Sequence, residues 1–187
     1  MSEQILEQRL AEHCAPTLLG AKAASLFSLS AQDFPDLFQR LRDYNRTLHR
    51  TGLRFMLLRS VGTRCLILVY RPAMLRSRLA APEAKAILSS LSYPDTTCLG
   101  ALLRHLKQRF SSSGDFPHEI GLFLDYPAAD VAAFMAGNRD CKLCGYWKVY
   151  CDVDAAREKF ACYDACRLCL CRMLAAGNTI SQLLYAA

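Results

Sequence analysis

The chain has 187 residues, 52% of them hydrophobic and 10% aromatic, which supports a folded core of ordinary domain size and excludes a disordered or low-complexity chain. No run approaches the roughly 18 uncharged apolar residues that a membrane span requires, and the first residues lack the basic start and apolar stretch of an export signal, so a cytoplasmic protein with no membrane partner is expected. The net charge is +6 at pH 7, and 17 of the 23 cations are Arg, a residue suited to planar anions such as carboxylate and phosphate.

Taken in chain order, residues 3–12 predict a short helix. His13-Cys14-Ala15-Pro16-Thr17 is expected to interrupt it, with a second helix opening at Pro16 and running toward Phe27. Pro35 starts the next helix, whose Phe34, Leu37, Phe38, Leu41, Tyr44 and Leu48 recur at i, i+3 and i+4. Gly52 is placed to close it. The period then shortens. Phe55–Leu58 and Cys65–Tyr70 flank Val61-Gly62-Thr63 and predict a β-hairpin, its second strand apolar on both faces and therefore central. Pro72 and Pro82 open two short helices. Leu99, Leu102, Leu103, Leu106 and Phe110 mark an amphipathic one that ends at Ser111-Ser112-Ser113-Gly114. A helix follows over Ala128–Met135, then a third strand at Gly145–Tyr150, then a long helix capped by Asp154 and running to about Leu174. The sum is an α+β fold, a small three- to four-stranded, mostly antiparallel sheet covered by helices. A single domain over residues 1–187 is expected, and a boundary within it would fall at the Ser/Gly loop, residues 111–115.

Several ordered motifs, His13-Cys14-Ala15-Pro16-Thr17-Leu18 with Lys22, the strand end Leu68–Arg71, Phe116-Pro117-His118-Glu119-Ile120-Gly121-Leu122-Phe123-Leu124 and Gly145-Tyr146-Trp147-Lys148-Val149-Tyr150, resemble a bacterial family catalogued as a domain of unknown function (DUF3793) and common in anaerobes. The resemblance spans nearly the whole chain and implies no particular chemistry. It implies Gly-Tyr-Pro ahead of the 128–135 helix, where this chain has Asp125-Tyr126-Pro127. It also places the family's hallmark in the Trp147–Tyr150 strand rather than in the cysteines around it.

Three constellations are chemically suggestive. Ten cysteines without an export signal are expected to be reduced thiols. Cys141-Lys142-Leu143-Cys144-Gly145 has the form of a zinc knuckle, and Cys162 and Cys166 share one face of the next helix. These four thiols would suit Zn²⁺ or an iron–sulfur cluster; alternatively the helical cysteines simply pack as small apolar residues. Ten Arg lie between Arg40 and Arg78 against one acid, Asp43. Arg42, Arg46 and Arg50 repeat at i+4, which would suit RNA or an acidic protein, or else forms a solvated face. The third set lies in the Pro-bearing segments. Cys14 would be a nucleophile with His118 as base if they converge, or His13, His118 and Glu119 would hold a divalent metal; otherwise these side chains brace turns.

The expected function is therefore a ligand-binding or accessory protein for a small anionic or metal-containing ligand, placed in anaerobic redox or iron physiology. Its site would draw on His13, His118 and Glu119 with Lys22, Arg71, Tyr126 and Lys148. The alternatives are an enzyme using Cys14 and His118 or a metal, and an Arg-rich interaction module. Nucleic acid is the least favoured partner, since no known binding motif is present and the net charge is modest. Oligomeric state has no signature in the sequence.

Overall fold

The computed structural model describes residues 2–95, 97–112 and 116–185. The fold is α+β, a three-stranded antiparallel sheet and a two-stranded one among helices. The chain divides into two compact units, Met1–Pro72 with Cys162–Ala187, and Ala73–Ala161.

The first unit opens with α1 (Ser2–Leu18), which runs unbroken through the expected interruption and carries Pro16 in its last turn. Leu6, Leu10, Ala11, Cys14, Ala15 and Leu18 are all buried. That continuous apolar stripe outweighs the single hydrogen bond Pro16 cannot donate. The helix stops at Gly20, whose φ of +83° is a left-handed value that glycine takes without strain. Gly20 N donates to Thr17 O (3.3 Å) and Ala21 N to Pro16 O (2.8 Å), the paired bonds of a Schellman ending. The helix expected to run toward Phe27 is instead a strand, β1 (Ala24–Ser30). Ser25, Phe27 and Leu29 are buried while Ser28 is exposed, a period of two that puts one face on the core.

Next come α2 (Leu37–Thr47) and a 3₁₀ turn (Leu48–Thr51) closed by Gly52 in the left-handed region. The hairpin then forms as expected, from β2 (Arg54–Val61) and β3 (Arg64–Tyr70). β3 is central, in the order β1–β3–β2, with Leu26 opposite Leu68 on one side and Phe55 opposite Val69 on the other. A bulge between Leu57 and Arg59 shifts the β2 register. Cys65, Ile67, Leu68 and Val69 are buried in succession, as a strand covered on both faces requires. Phe27, Leu37, Leu41, Tyr44, Leu48, Leu53 and Phe55 complete this core with the stripe of α1.

The second unit begins with α3 (Pro72–Leu79), α4 (Pro82–Ser90) and α5 (Leu99–Ser112), opened by the prolines and stripe that predict them. Of the expected linker, Ser111 and Ser112 belong to α5 and residues 113–115 lie outside the described residues. A single turn, α6 (Ile120–Phe123), precedes α7 (Ala128–Met135). The expected third strand is shorter than its sequence suggests. Only β4 (Leu143–Cys144) and β5 (Lys148–Val149) pair, antiparallel, because residues 145–147 form the turn between them.

Finally α8 (Val153–Ala175) carries the chain from residues of the second unit to those of the first, and α9 (Ile180–Tyr185) closes the first. Asp152, not Asp154, caps α8, its carboxylate accepting from Ala155 N at 3.0 Å. α9 docks through Ile180 N, which donates to the buried Glu7 carboxylate at 3.0 Å, and through the Tyr185 hydroxyl, which donates to Thr47 O.

One side chain joins three of these segments. Arg71, at the end of β3, donates from Nε to Thr17 O (2.7 Å), from Nη2 to Leu18 O (2.6 Å) and from Nη1 to Thr51 O (2.9 Å). Its guanidinium thus caps the C-terminus of α1 and of the 3₁₀ turn together, and it lies over both closing glycines. Bonds from a charged donor are each worth about 1.5–3 kcal/mol. Arg71→Ala should therefore lower the stability to urea by about 2–4 kcal/mol. Arg71→Lys should recover less than half of that, because one ammonium cannot reach three divergent carbonyls. A midpoint unchanged in Arg71→Ala would show that the clamp is incidental.

Candidate functional site

One cavity is built by residues of the second unit alone. It encloses about 390 Å³ and is lined by Phe116, His118, Ile120, Gly121, Leu124, Tyr126, Asp130, Val131, Phe134, Trp147 and Lys148. Its walls come from the Phe116–Glu119 segment, α6, α7 and the turn and second strand of the β4–β5 hairpin.

Asp130 positions these walls. It is the third residue of α7 and is buried. One carboxylate oxygen accepts from Trp147 Nε1 at 2.8 Å. The other accepts from Tyr150 N at 2.8 Å and Cys151 N at 3.0 Å. Three donors and the positive end of α7 balance the buried charge and pin the hairpin to the helix. Trp147 is thereby held between Tyr126, stacked at 5.2 Å, and the ring of Phe160, edge-on at 4.6 Å. A Cβ at position 145 would overlap the Phe160 ring, so Gly145 is a packing requirement. Burial pushes the Tyr126 phenol up, leaving it protonated at neutral pH.

The turn that delivers Tyr126 is formed without glycine. Asp125 has φ of +62°, a left-handed value that Asp tolerates better than most residues. Its buried carboxylate meets Arg78 Nε at 2.7 Å. The tight turn is therefore kept where the resemblance would put Gly.

At the mouth of the cavity stand two exposed basic side chains. Lys148 Nζ lies 5.5 Å from the centre of the Phe134 ring, and among the described residues no carboxylate pairs with it. The His118 ring meets the same phenyl edge-on at 5.0 Å and lies 6.1 Å from Phe116. The site can take up a flat apolar group between aromatic faces and offer cationic and hydrogen-bonding groups at its rim.

Of the residues singled out in the sequence, the structure brings Tyr126, His118 and Lys148 to this cavity. Glu119 is beside it but engaged. It is buried and receives the Tyr93 hydroxyl at 3.1 Å and the Arg109 guanidinium, tying α5 to the segment before α6. His13, Cys14, Lys22 and Arg71 belong to the first unit. His13 is exposed and stacked 6.3 Å from Phe27. Cys14 is fully enclosed, and burial pushes its thiol up against a smaller opposing pull from Lys22. Lys22 is buried with its ammonium 5.4 Å from the centre of the Tyr163 ring, and Arg71 is committed to backbone carbonyls.

Cys141 and Cys144 lie in the second unit, Cys162 and Cys166 in the first. Cys141 donates to Leu143 O at 3.1 Å. Among the described residues no three His, Cys, Asp or Glu are grouped to hold a metal ion. In the Arg stretch, Arg40 pairs with Asp36 (2.8 Å) and Arg46 with Asp43 (3.2 Å), Arg54 donates to Leu53 O, and Arg42, Arg46 and Arg50 are exposed.

Asp130, Phe116, Phe134 and Trp147 carry the cavity, and sequence reasoning passed over all four as site residues. The available signal was Asp130, an acid in the first turn of an otherwise apolar helix.

A family model described as "Protein of unknown function (DUF3793)" matches residues 10–184. The chain belongs to that family. No curated protein and no solved structure matches the chain.

Two outcomes are expected. Asp130→Asn replaces one acceptor oxygen with an amide facing N–H donors and should cost about 2 kcal/mol. The emission of Trp147, the single tryptophan, should shift to the red as its ring loosens; unshifted emission at unchanged stability would refute the pinning role. With a thiol reagent at pH 8, the exposed Cys98, Cys144, Cys151, Cys162 and Cys169 should label readily, and Cys14 and Cys65 only on unfolding. Rapid native labelling of Cys14 would instead show an accessible thiolate.

Proposed function

We propose that this DUF3793 protein binds a small ligand with a flat apolar body and one anionic group in the cavity of its second unit. The observation that carries this reading is the pairing of an aromatic-walled cavity with a Lys148 ammonium at its mouth that meets no carboxylate among the described residues. A volume of about 390 Å³ lies within the range of small-molecule sites. An aromatic ring entering it would bury about 150 Å², worth about 4 kcal/mol before the cost of association. Lys148 then selects for charge and His118 supplies a further polar contact.

Binding rather than turnover is favoured by the state of the acids nearby. Asp130 and Glu119 already receive hydrogen bonds from protein donors, so each serves the scaffold more readily than it would move a substrate proton. The protein is then an accessory or carrier that holds the ligand.

Calorimetric titration with cinnamate and with neutral cinnamamide tests this. The wild type should bind the carboxylate about tenfold more tightly than the amide, a difference of about 1.4 kcal/mol. Lys148→Gln should erase the difference, and Phe134→Ala should weaken both. Equal binding of the two probes by the wild type, or none of either at millimolar concentration, would exclude the proposal.

A further inference from the structure

One flank of α8 in the first unit, at the border between its solvent side and the core on which Cys166 packs, carries an unusual surface. Cysteine is among the residues most often buried in proteins. Here Cys162 and Cys169 are exposed, Cys166 between them is half-buried, and Met173 is exposed one turn further on. All four sulfurs follow one side of the helix at i, i+4, i+7 and i+11. Cys169 Sγ is 3.9 Å from Met173 Sδ.

We propose that this stripe takes up a soft monovalent cation, copper(I), as a two-coordinate ion between Cys162 and Cys166. Residues four apart on a helix have Cβ atoms about 5–6 Å apart. Two thiolates on one linear ion stand roughly 4.6 Å apart, twice a metal–sulfur bond of roughly 2.3 Å. The i, i+4 pair therefore closes on a two-coordinate ion by rotating side chains, with the helix unchanged. Thiolate donors in linear two-coordination select copper(I) over hard cations. Uptake is a ligand exchange with no change of oxidation state: two thiols and Cu⁺ give a bis-thiolate copper(I) anion and two protons released to solvent. The cavity and the Cys141/Cys144 pair belong to the other unit.

The test is an anaerobic titration of the reduced full-length protein with tetrakis(acetonitrile)copper(I), in competition with the coloured copper(I) complex of bicinchoninate. The wild type should withdraw one copper(I) per chain from the chromophore through this stripe. Cys162→Ser, at an exposed position where folding is not at stake, should weaken that uptake at least tenfold, and Cys162→Ser/Cys166→Ser should abolish it. Cys141→Ser/Cys144→Ser should retain it, and circular dichroism should report an unchanged helix content in each variant. A wild type that leaves the chromophore intact overturns the proposal, as does uptake that survives Cys162→Ser/Cys166→Ser or is lost only with Cys141 and Cys144.

Discussion

Asp130 is a charge drawn out of water and Arg71 one drawn partly out of it, and each is tolerated because neighbouring groups fill its bonding directions. Arg71 spends its guanidinium on carbonyls that helix geometry leaves without partners. Asp130 spends its carboxylate on two backbone amides and an indole that a short hairpin leaves equally unmatched. In both cases a charged side chain supplies what a longer helix or strand would have supplied with its own backbone. The first unit's chain reversals at Gly20 and Gly52 depend on the one, and the second unit's cavity depends on the other.

That dependence explains why an acid can line a largely apolar cavity, its charge being met by protein donors. The carboxylate faces its three donors, so the charge that a ligand would meet is the outward-facing Lys148. Trp147 is held between Tyr126 and Phe160 by the same bonds. The wall that would stack on a ligand is thus fixed before the ligand arrives, and little ordering remains to be done on binding. The Arg78–Asp125 and Arg109–Glu119 pairs extend the pattern, each placing a buried carboxylate against a partly exposed guanidinium at the edge of this unit.

The two proposed sites use different physics. The cavity would gain from apolar burial and a single rim charge. The sulfur stripe is open to water at Cys162, and its selectivity rests on the softness of its donors rather than on enclosure.

Much of the architecture was legible in the sequence because local patterns agreed with the environment. The continuous apolar run Cys65–Tyr70 could only suit a covered, central strand, and the proline starts at residues 72 and 82 and the stripe from Leu99 to Phe110 fixed three helices. Where local signals conflicted with tertiary burial, burial decided. Pro16 did not stop α1, whose buried stripe passes through it, and Ala24–Ser30 became a strand because β3 offered an unpaired edge. His118, Tyr126 and Lys148 could be named from sequence as polar or amphipathic groups beside proline turns. That they share one cavity, and that in the other unit Cys14 is enclosed and Arg71 is committed to backbone carbonyls, followed only from folding. A side chain's neighbours across tens of residues are set by packing, and no local periodicity records them.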